Sequence, residues 1–240
     1  MKLSIIIPAY NEEKLLPACL ASVREALGAC AQPELRNEII VCDNNSTDAT
    51  ARIAQEAGAK VAFEPVNLIS RSRNAGAAAA SGDWLLFIDA DSRLSASTLK
   101  AMLEAAQSGT CAGGGSLIDF DDKPWWGAAL LVLWSFLSRA MKWAAGSFVF
   151  CRKDAFDAVG GFPPELAAGE ELGLSRNLKR WGRRQGLNFV ILRTTHVSSG
   201  RKFHLYSPGE FLGILLEMAR SPKRSLRDPG ISKHLYDGRR

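Results

Sequence analysis

The chain has 240 residues, 47% of them hydrophobic and 23% charged, which is enough to bury a sizeable core without a disulfide staple. Its five cysteines, Cys19, Cys30, Cys42, Cys111 and Cys151, are scattered and form no CxxC pair; that argues against a zinc site and for a reducing compartment. The net charge of +5 is uneven, because 15 basic and 4 acidic residues lie between Arg176 and Arg240, an excess of +11 that leaves −6 on the rest.

A basic C-terminal third suits an anionic partner (phosphates, an acidic membrane surface or nucleic acid), or it is a solubilising tail. Nucleic acid is disfavoured: no aromatics interleave with the positive charge on one face, and no reading motif appears. Met1-Lys2 leads straight into Leu3-Ser4-Ile5-Ile6-Ile7 and Pro8 stops the apolar run short of a signal core, so the start reads as a first strand and the expected location is cytoplasmic.

Leu3 to Ile7 is an almost unbroken aliphatic run, the pattern of a strand buried on both faces. Asn11-Glu12-Glu13 opens a helix expected over Lys14 to Leu27. Glu38 to Cys42 reads as a second strand ending in Asp43, and Ser46 to Ala57 as a helix stopped by Gly58. Lys60 to Phe63 is a third strand, Ser72 to Ser81 an alanine-rich helix, and Trp84 to Ile88 a fourth strand ending in Asp89. This alternation predicts an α/β fold with a mostly parallel sheet and helices on both faces. Ligands then gather at the carboxyl ends of the strands. Residues 1–110 read as a regularly alternating α/β half, 111–205 as a less regular second half, and 206–240 as a basic extension. Trp125 to Trp143 is strongly apolar but broken by Arg139 and Lys142. It is too short to span a bilayer and reads as a buried helix or as one facing a membrane surface. Val159 to Leu174 reads as loop-rich, Phe189 to Leu192 as a last short strand, and Phe211 to Met218 as a short apolar helix.

Three polar clusters follow the first, second and fourth strands, and a fourth opens the alanine-rich helix. Asp89-Ala90-Asp91 places two carboxylates at i and i+2 just past an aliphatic strand. That pair is costly unless a cation is near, and it suits a hard divalent ion beside a diphosphate, although Asp is also common in turns. In Asp43-Asn44-Asn45-Ser46-Thr47-Asp48, Ser46 or Thr47 is an expected helix cap, while Asp43 offers an acceptor to a base N–H. In Pro8-Ala9-Tyr10-Asn11-Glu12, Asn11 is an expected cap, Tyr10 offers a flat ring to a base, and Glu12 an acceptor for base or ribose. Arg73-Asn74-Ala75-Gly76 supplies a cation for a surface acid, a base or a diphosphate.

Taken in order, these four clusters resemble the family 2 glycosyltransferases, which have the GT-A fold. The resemblance extends more loosely to Gly160-Gly161-Phe162 and Gly169-Glu170-Glu171-Leu172, and covers roughly residues 3 to 203. It implies a single Rossmann-like domain, with residues 1–110 as its nucleotide-sugar-binding half and 111–205 as its acceptor-binding and catalytic-base half, and an inverting transfer of sugar from a UDP- or GDP-linked donor to an acceptor hydroxyl. It further implies that Pro8, Ala9, Tyr10, Glu12, Asp43, Asn45, Arg73, Asp89 and Ala90 line the nucleotide pocket, and that Asp91, with Asp89, holds Mg²⁺ or Mn²⁺. The family's catalytic Asp is matched here by Glu171, preceded by Glu170. A Glu performs the same proton transfer with a longer reach; alternatively both cap the helix starting near Leu172. His196 is a further metal-ligand candidate or a structural histidine. Arg201 and Lys202 lie in a basic loop able to close over the diphosphate. Arg180-Trp181 stands too close to Glu171, and lacks the Gln, to be a processive-synthase motif. The aromatic helix and basic C-terminal third point to a lipid-linked acceptor and a peripheral place on the inner membrane face. A nucleotidyltransferase and a non-catalytic nucleotide-sugar-binding protein are the rival readings; the first usually needs a Gly-rich basic loop where this chain has Pro8 to Glu12.

Overall fold

The structure, a computed structural model, describes residues 1–144, 147–164, 166, 169–201 and 203. In chain order the elements are β1 (Lys2–Ala9), α1 (Leu16–Ala29), β2 (Arg36–Asp43), α2 (Thr50–Glu56), β3 (Lys60–Phe63), α3 (Ile69–Ala78), β4 (Trp84–Ile88) and β5 (Ser92–Arg93). They continue with α4 (Ala96–Gln107), β6 (Cys111–Phe120), α5 (Trp125–Met141), β7 (Phe148–Arg152), α6 (Lys153–Ala158), α7 (Glu170–Arg184) and β8 (Asn188–Ser198). All eight strands form one sheet in the order β3-β2-β1-β4-β7-β6-β8-β5.

The aliphatic run of β1 sits between β2 and β4, parallel to both. Such a strand must be apolar on both faces, because helices cover both. Its residues divide accordingly. Leu3, Ile5 and Ile7 join α1 and α4 residues such as Leu20, Val23, Leu99 and Met102 in one core layer. Ile6 faces the other way, towards Phe156, Phe162, Leu174 and Leu178. β4 repeats the alternation, with Leu86 and Ile88 in the first layer and Leu85 and Phe87 in the second.

The first four strands run parallel as expected, and the sheet then becomes mixed. β7 is antiparallel to both β4 and β6, and β5 is antiparallel to β8. β6 is parallel to β8, so its carboxyl end and that of β8 lie along the same edge as those of β1, β2 and β4. β6 passes between β7 and β8 through Gly113-Gly114-Gly115. A Cβ on Gly114 would stand 2.2 Å from the Val190 carbonyl oxygen, so glycine is what lets the three backbones close up. β8 is longer than the Phe189–Leu192 strand expected, and His196 lies inside it rather than beyond it. The expected Phe211–Met218 helix lies outside the described residues.

Candidate active site

Three loops meet where the carboxyl ends of β1, β2 and β4 stand side by side. Ala9 is in register with Asp43 across β1 and β2. The turns that follow are laced together by side chains. The Asn11 amide donates to Ser46 Oγ at 3.0 Å, the Glu12 amide to Thr50 Oγ1 at 2.8 Å, and the Thr47 amide to Asn11 Oδ1 at 2.8 Å. Ser46 and Thr47, expected as helix caps, therefore spend their groups on the neighbouring loop. α2 starts later, at Thr50, whose amide is met by Asp48 Oδ1 at 2.9 Å. Asn11 and Asn45 both hold left-handed φ values, 51° and 64°, which asparagine tolerates better than most residues. Asn11 thus shapes and ties the loop instead of capping α1, which begins at Leu16.

Asp43 is buried, and its Oδ1 accepts from the Ser46 amide at 3.1 Å. Pro8 and Ala9 end β1 as buried residues, with Tyr10 half-buried next to them. Asn44, not singled out in the sequence, is buried, and its amide donates to the carbonyls of Glu64 and Val66. Asn45 Nδ2 reaches Asn67 Oδ1 at 3.1 Å. These two asparagines pin the chain that leads from β3 into α3.

Arg73, on α3, is 1% exposed and the largest wholly enclosed side chain among the described residues. Its Nη2 donates to Asp89 Oδ1 at 2.8 Å and its Nη1 donates to Glu170, while the guanidinium sits 5.2 Å over the Phe162 ring. Burial opposes its charge, but Asp89, Glu170 and Glu171 outweigh that and push its pKa further up. Both Nη atoms are thus committed to carboxylates from opposite halves of the chain. Beside it, Asn74 makes two bonds to Phe162, accepting from its amide at 2.9 Å and donating to its carbonyl at 2.8 Å. Gly161, at φ 72°, fits under this clamp because a Cβ there would stand 2.7 Å from Asn74 Oδ1.

A second arginine closes the other side. Arg201 Nη1 and Nη2 grip the Glu12 carboxylate at 3.0 and 2.6 Å, and Nη2 also reaches Asp91 Oδ2 at 3.1 Å. Ser198 Oγ donates to Asp91 Oδ1 at 3.3 Å, and the Ser199 amide donates to the Asp91 carbonyl at 3.1 Å. A cavity of about 390 Å³ adjoins this pair, lined by residues that follow β1, β2 and β8, including Asn11, Glu12, Thr47, Ser199 and Arg201. Lys202 lies outside the described residues. The gathering of acids is felt by Cys19 on α1, whose thiol pKa is raised first by burial and then by Asp91, Asp89 and Glu12. Ala90, between the two aspartates, is buried.

Glu170 and Glu171 open α7 rather than precede it. Glu170 is buried against Arg73. Glu171 is half-buried as a residue, but its carboxyl group is enclosed. Its pKa is pushed up to about 8, chiefly by burial and next by Glu170. His196 is wholly buried between two serines, with Ser116 Oγ 2.7 Å from Nδ1 and Ser147 Oγ 2.7 Å from Nε2, and it stacks on Phe148. Burial lowers its pKa to about 4. Both ring nitrogens are engaged by hydroxyls, the pattern of a neutral, structurally held imidazole.

The donor chemistry at Asp89 and Asp91 fits a hard divalent ion. Asp91 and Glu12 already converge on a cationic group, the Arg201 guanidinium. Among the described residues no group of three or more His, Cys, Asp or Glu could hold a metal by itself. A site with one or two carboxylates, completed by phosphate oxygens and water, is the form that Mg²⁺ favours.

The family model described as Glycosyl transferase family 2 matches residues 4–160. The chain belongs to that family. Its sequence is 33% identical over 118 residues to the dolichol-phosphate mannosyltransferase of Pyrococcus furiosus, covering 46% of this chain and 31% of that protein. The chain spans between about a fifth and under half of the length of the curated relatives it matches. Among solved structures it resembles glucosyl-3-phosphoglycerate synthase from Mycobacterium tuberculosis, in complex with Mn²⁺, UDP and glucosyl-3-phosphoglycerate. That match has a TM-score of 0.63 at 21% identity and covers 93% of this chain and 79% of that one. The mannosyltransferase PcManGT from Pyrobaculum calidifontis, in complex with GDP-Man and Mn²⁺, gives a TM-score of 0.64 at 17% identity, covering 98% and 68%. At these identities the likeness is one of fold. The family 2 chain is thus a single α/β domain with a mixed sheet and flanking helices, GT-A-like in architecture.

Proposed function

We propose that this family 2 chain moves a sugar from a nucleotide diphosphate donor to an acceptor hydroxyl, with inversion at the anomeric carbon. The observation that carries the reading is the convergence of Glu12, Asp89, Asp91 and Glu170 on two arginines along the carboxyl edge of the sheet. In this reading Pro8, Ala9, Tyr10, Asp43 and Asn45 form the nucleotide end of the cleft. Arg201, with Lys202, turns to the diphosphate. Asp91 with Asp89 holds Mg²⁺ or Mn²⁺, which supplies Lewis-acid stabilisation of the departing diphosphate. His196, its nitrogens shared between Ser116 and Ser147, acts from behind as a packed support for this end of the sheet.

Glu171 takes the acceptor proton. The two glutamates have different surroundings: Arg73 holds Glu170 in an ion pair, while Glu171 has a raised pKa suited to a base working near neutrality. Positioning of both substrates supplies much of the remaining acceleration. The complexes of the two solved relatives with UDP or GDP-Man and Mn²⁺ support a UDP- or GDP-linked donor. The dolichol-phosphate relative supports a lipid-linked acceptor.

The test is a thermal-shift screen of UDP- and GDP-sugars with Mn²⁺ or Mg²⁺. A ligand at a hundred times its Kd adds about 2.7 kcal/mol, a rise of several degrees. The rise should vanish with EDTA and in Asp91→Ala, whose own melting point stays close to wild type. Absence of any metal-dependent shift, or diphosphate release from a nucleoside triphosphate instead of nucleoside diphosphate release from a sugar donor, overturns the reading.

A further inference from the structure

Among the described helices α5 is the most apolar and one of the least buried. Of its 17 residues only Gly127 and Ser138 are buried. Six of its exposed residues, Trp125, Ala129, Val132, Leu133, Phe136 and Ala140, recur at helical spacing on one side. Trp125 is 85% exposed, Val132 73% and Phe136 66%. An amphipathic helix of a globular protein turns such a stripe inward; here it faces out, as a contiguous apolar surface does at a docking site.

A second observation gives the surface a charge. The Lys179 ammonium of α7 donates to the Met141 carbonyl at the end of α5 at 2.8 Å. This contact brings the basic side of α7 beside the apolar stripe. Arg176, Lys179 and Arg183 stand with Lys142 close enough that, after burial, the three other cations are what lower the Lys179 pKa. No ion pair among the described residues includes any of the four. Arg139 adds an exposed cation on α5 itself.

We infer that the outward face of α5 and the basic face of α7 together form a docking surface for an anionic phospholipid bilayer. The apolar side chains enter the headgroup–acyl boundary, and the cations meet lipid phosphates. Among the described residues no helix is long and apolar enough to cross a membrane, so the contact is lateral. Other occupants fit less well. A second copy of the chain would set one cation cluster near another. Residues 204–240 carry seven basic and four acidic residues, which are repelled by the cluster and attracted by an anionic lipid. The surface also begins beside the active site: α5 starts just past the carboxyl end of β6, and Trp126 packs edge-on to Phe203, two residues after Arg201. The inference deepens the proposed transfer by presenting the cleft to a membrane-borne acceptor, but its readout needs no sugar donor.

The experiment is co-sedimentation of the full chain with vesicles of phosphatidylcholine alone, or of equal parts phosphatidylcholine and phosphatidylglycerol. Wild type should pellet with the anionic vesicles, stay largely in solution with the neutral ones, and detach as salt rises. Reversing both Arg176 and Arg183 to Glu should weaken binding at least about thirtyfold, from two lost cations alone. Phe136→Glu should weaken it too, by replacing an apolar anchor with a carboxylate while every cation of the cluster is kept. All these substitutions are on exposed positions, and melting points near wild type verify the fold. Wild type that ignores anionic vesicles overturns the inference, as does equal binding by wild type and both variants. So does a lipid-free dimer that Phe136→Glu splits, since that names a second copy as the occupant. If vesicles bind but no nucleotide-sugar does, the transfer reading fails and the surface stands.

Discussion

Arg73 shows how one buried cation can hold a site together. It is enclosed, and it faces Asp89 and Glu170 in the same small volume. Arg73→Met would leave two acids facing each other without their cation, a loss of about 3–5 kcal/mol. The expected outcome is a melting point about 10 °C lower, measured by calorimetry. Glu171 behaves in the opposite sense. Its folded pKa, about 8, is above the ordinary glutamate value. The stability tied to its neutral form is therefore complete in acid and lost as pH rises from that ordinary value through about 8. The base role proposed for Glu171 requires its ionised form, so the transfer rate should climb with pH over the same interval. Glu171→Gln should abolish most turnover and flatten that rise. It should also be more stable than wild type in alkaline buffer, with the difference closing below the ordinary glutamate pKa. A pH–rate profile and a pH series of melting curves check both.

Most residues that gather at the sheet edge were legible in the sequence because each follows a strand that is aliphatic and unbroken. What they do there was less so. Arg73 resembles a nucleotide-contacting residue by motif, and nothing in its motif announces that both its Nη atoms meet carboxylates. Ser198, which donates to Asp91, carries no signal of its own; only the length of β8 brings it there.

Among the elements, β6 and β7 went unread. The Gly113-Gly114-Gly115 run removes the side chains on which periodicity depends, although the glycines are what admit β6 between its neighbours. β7 is short and follows the apolar α5 so closely that composition does not separate them. α4 was missed as well, despite its Ser95 cap, whose Oγ accepts from the Thr98 amide at 3.2 Å. The link between α3 and the Gly160-Gly161-Phe162 turn is equally invisible in one dimension. Asn74 bonds both backbone groups of Phe162, 88 residues away. Asn74→Ala should leave buried groups unpaired at a cost of about 1–3 kcal/mol. Because Phe162 packs under the Arg73 guanidinium, turnover should fall more steeply than the melting point. Asn74→Asp, which keeps the acceptor, should recover part of it.

On the scale of the molecule, alternation of strands and helices over the first ninety residues predicted a parallel α/β sheet, and that part is present strand for strand. The mixed part was not predicted, because an antiparallel strand buried on both faces reads the same as a parallel one. The two halves divided at residue 110 share a single sheet: β4 from the first pairs with β7 from the second along all five residues. That seam also bears on how the chain comes to be active. A polypeptide halted after β5 would hold Asp43, Arg73, Asp89 and Asp91, yet leave the far edge of β4 bare and Arg73 without Glu170. The pocket is not finished until residues past 170 have returned to it, so under the proposed function an unfinished chain has no competent cleft in which to waste an activated sugar.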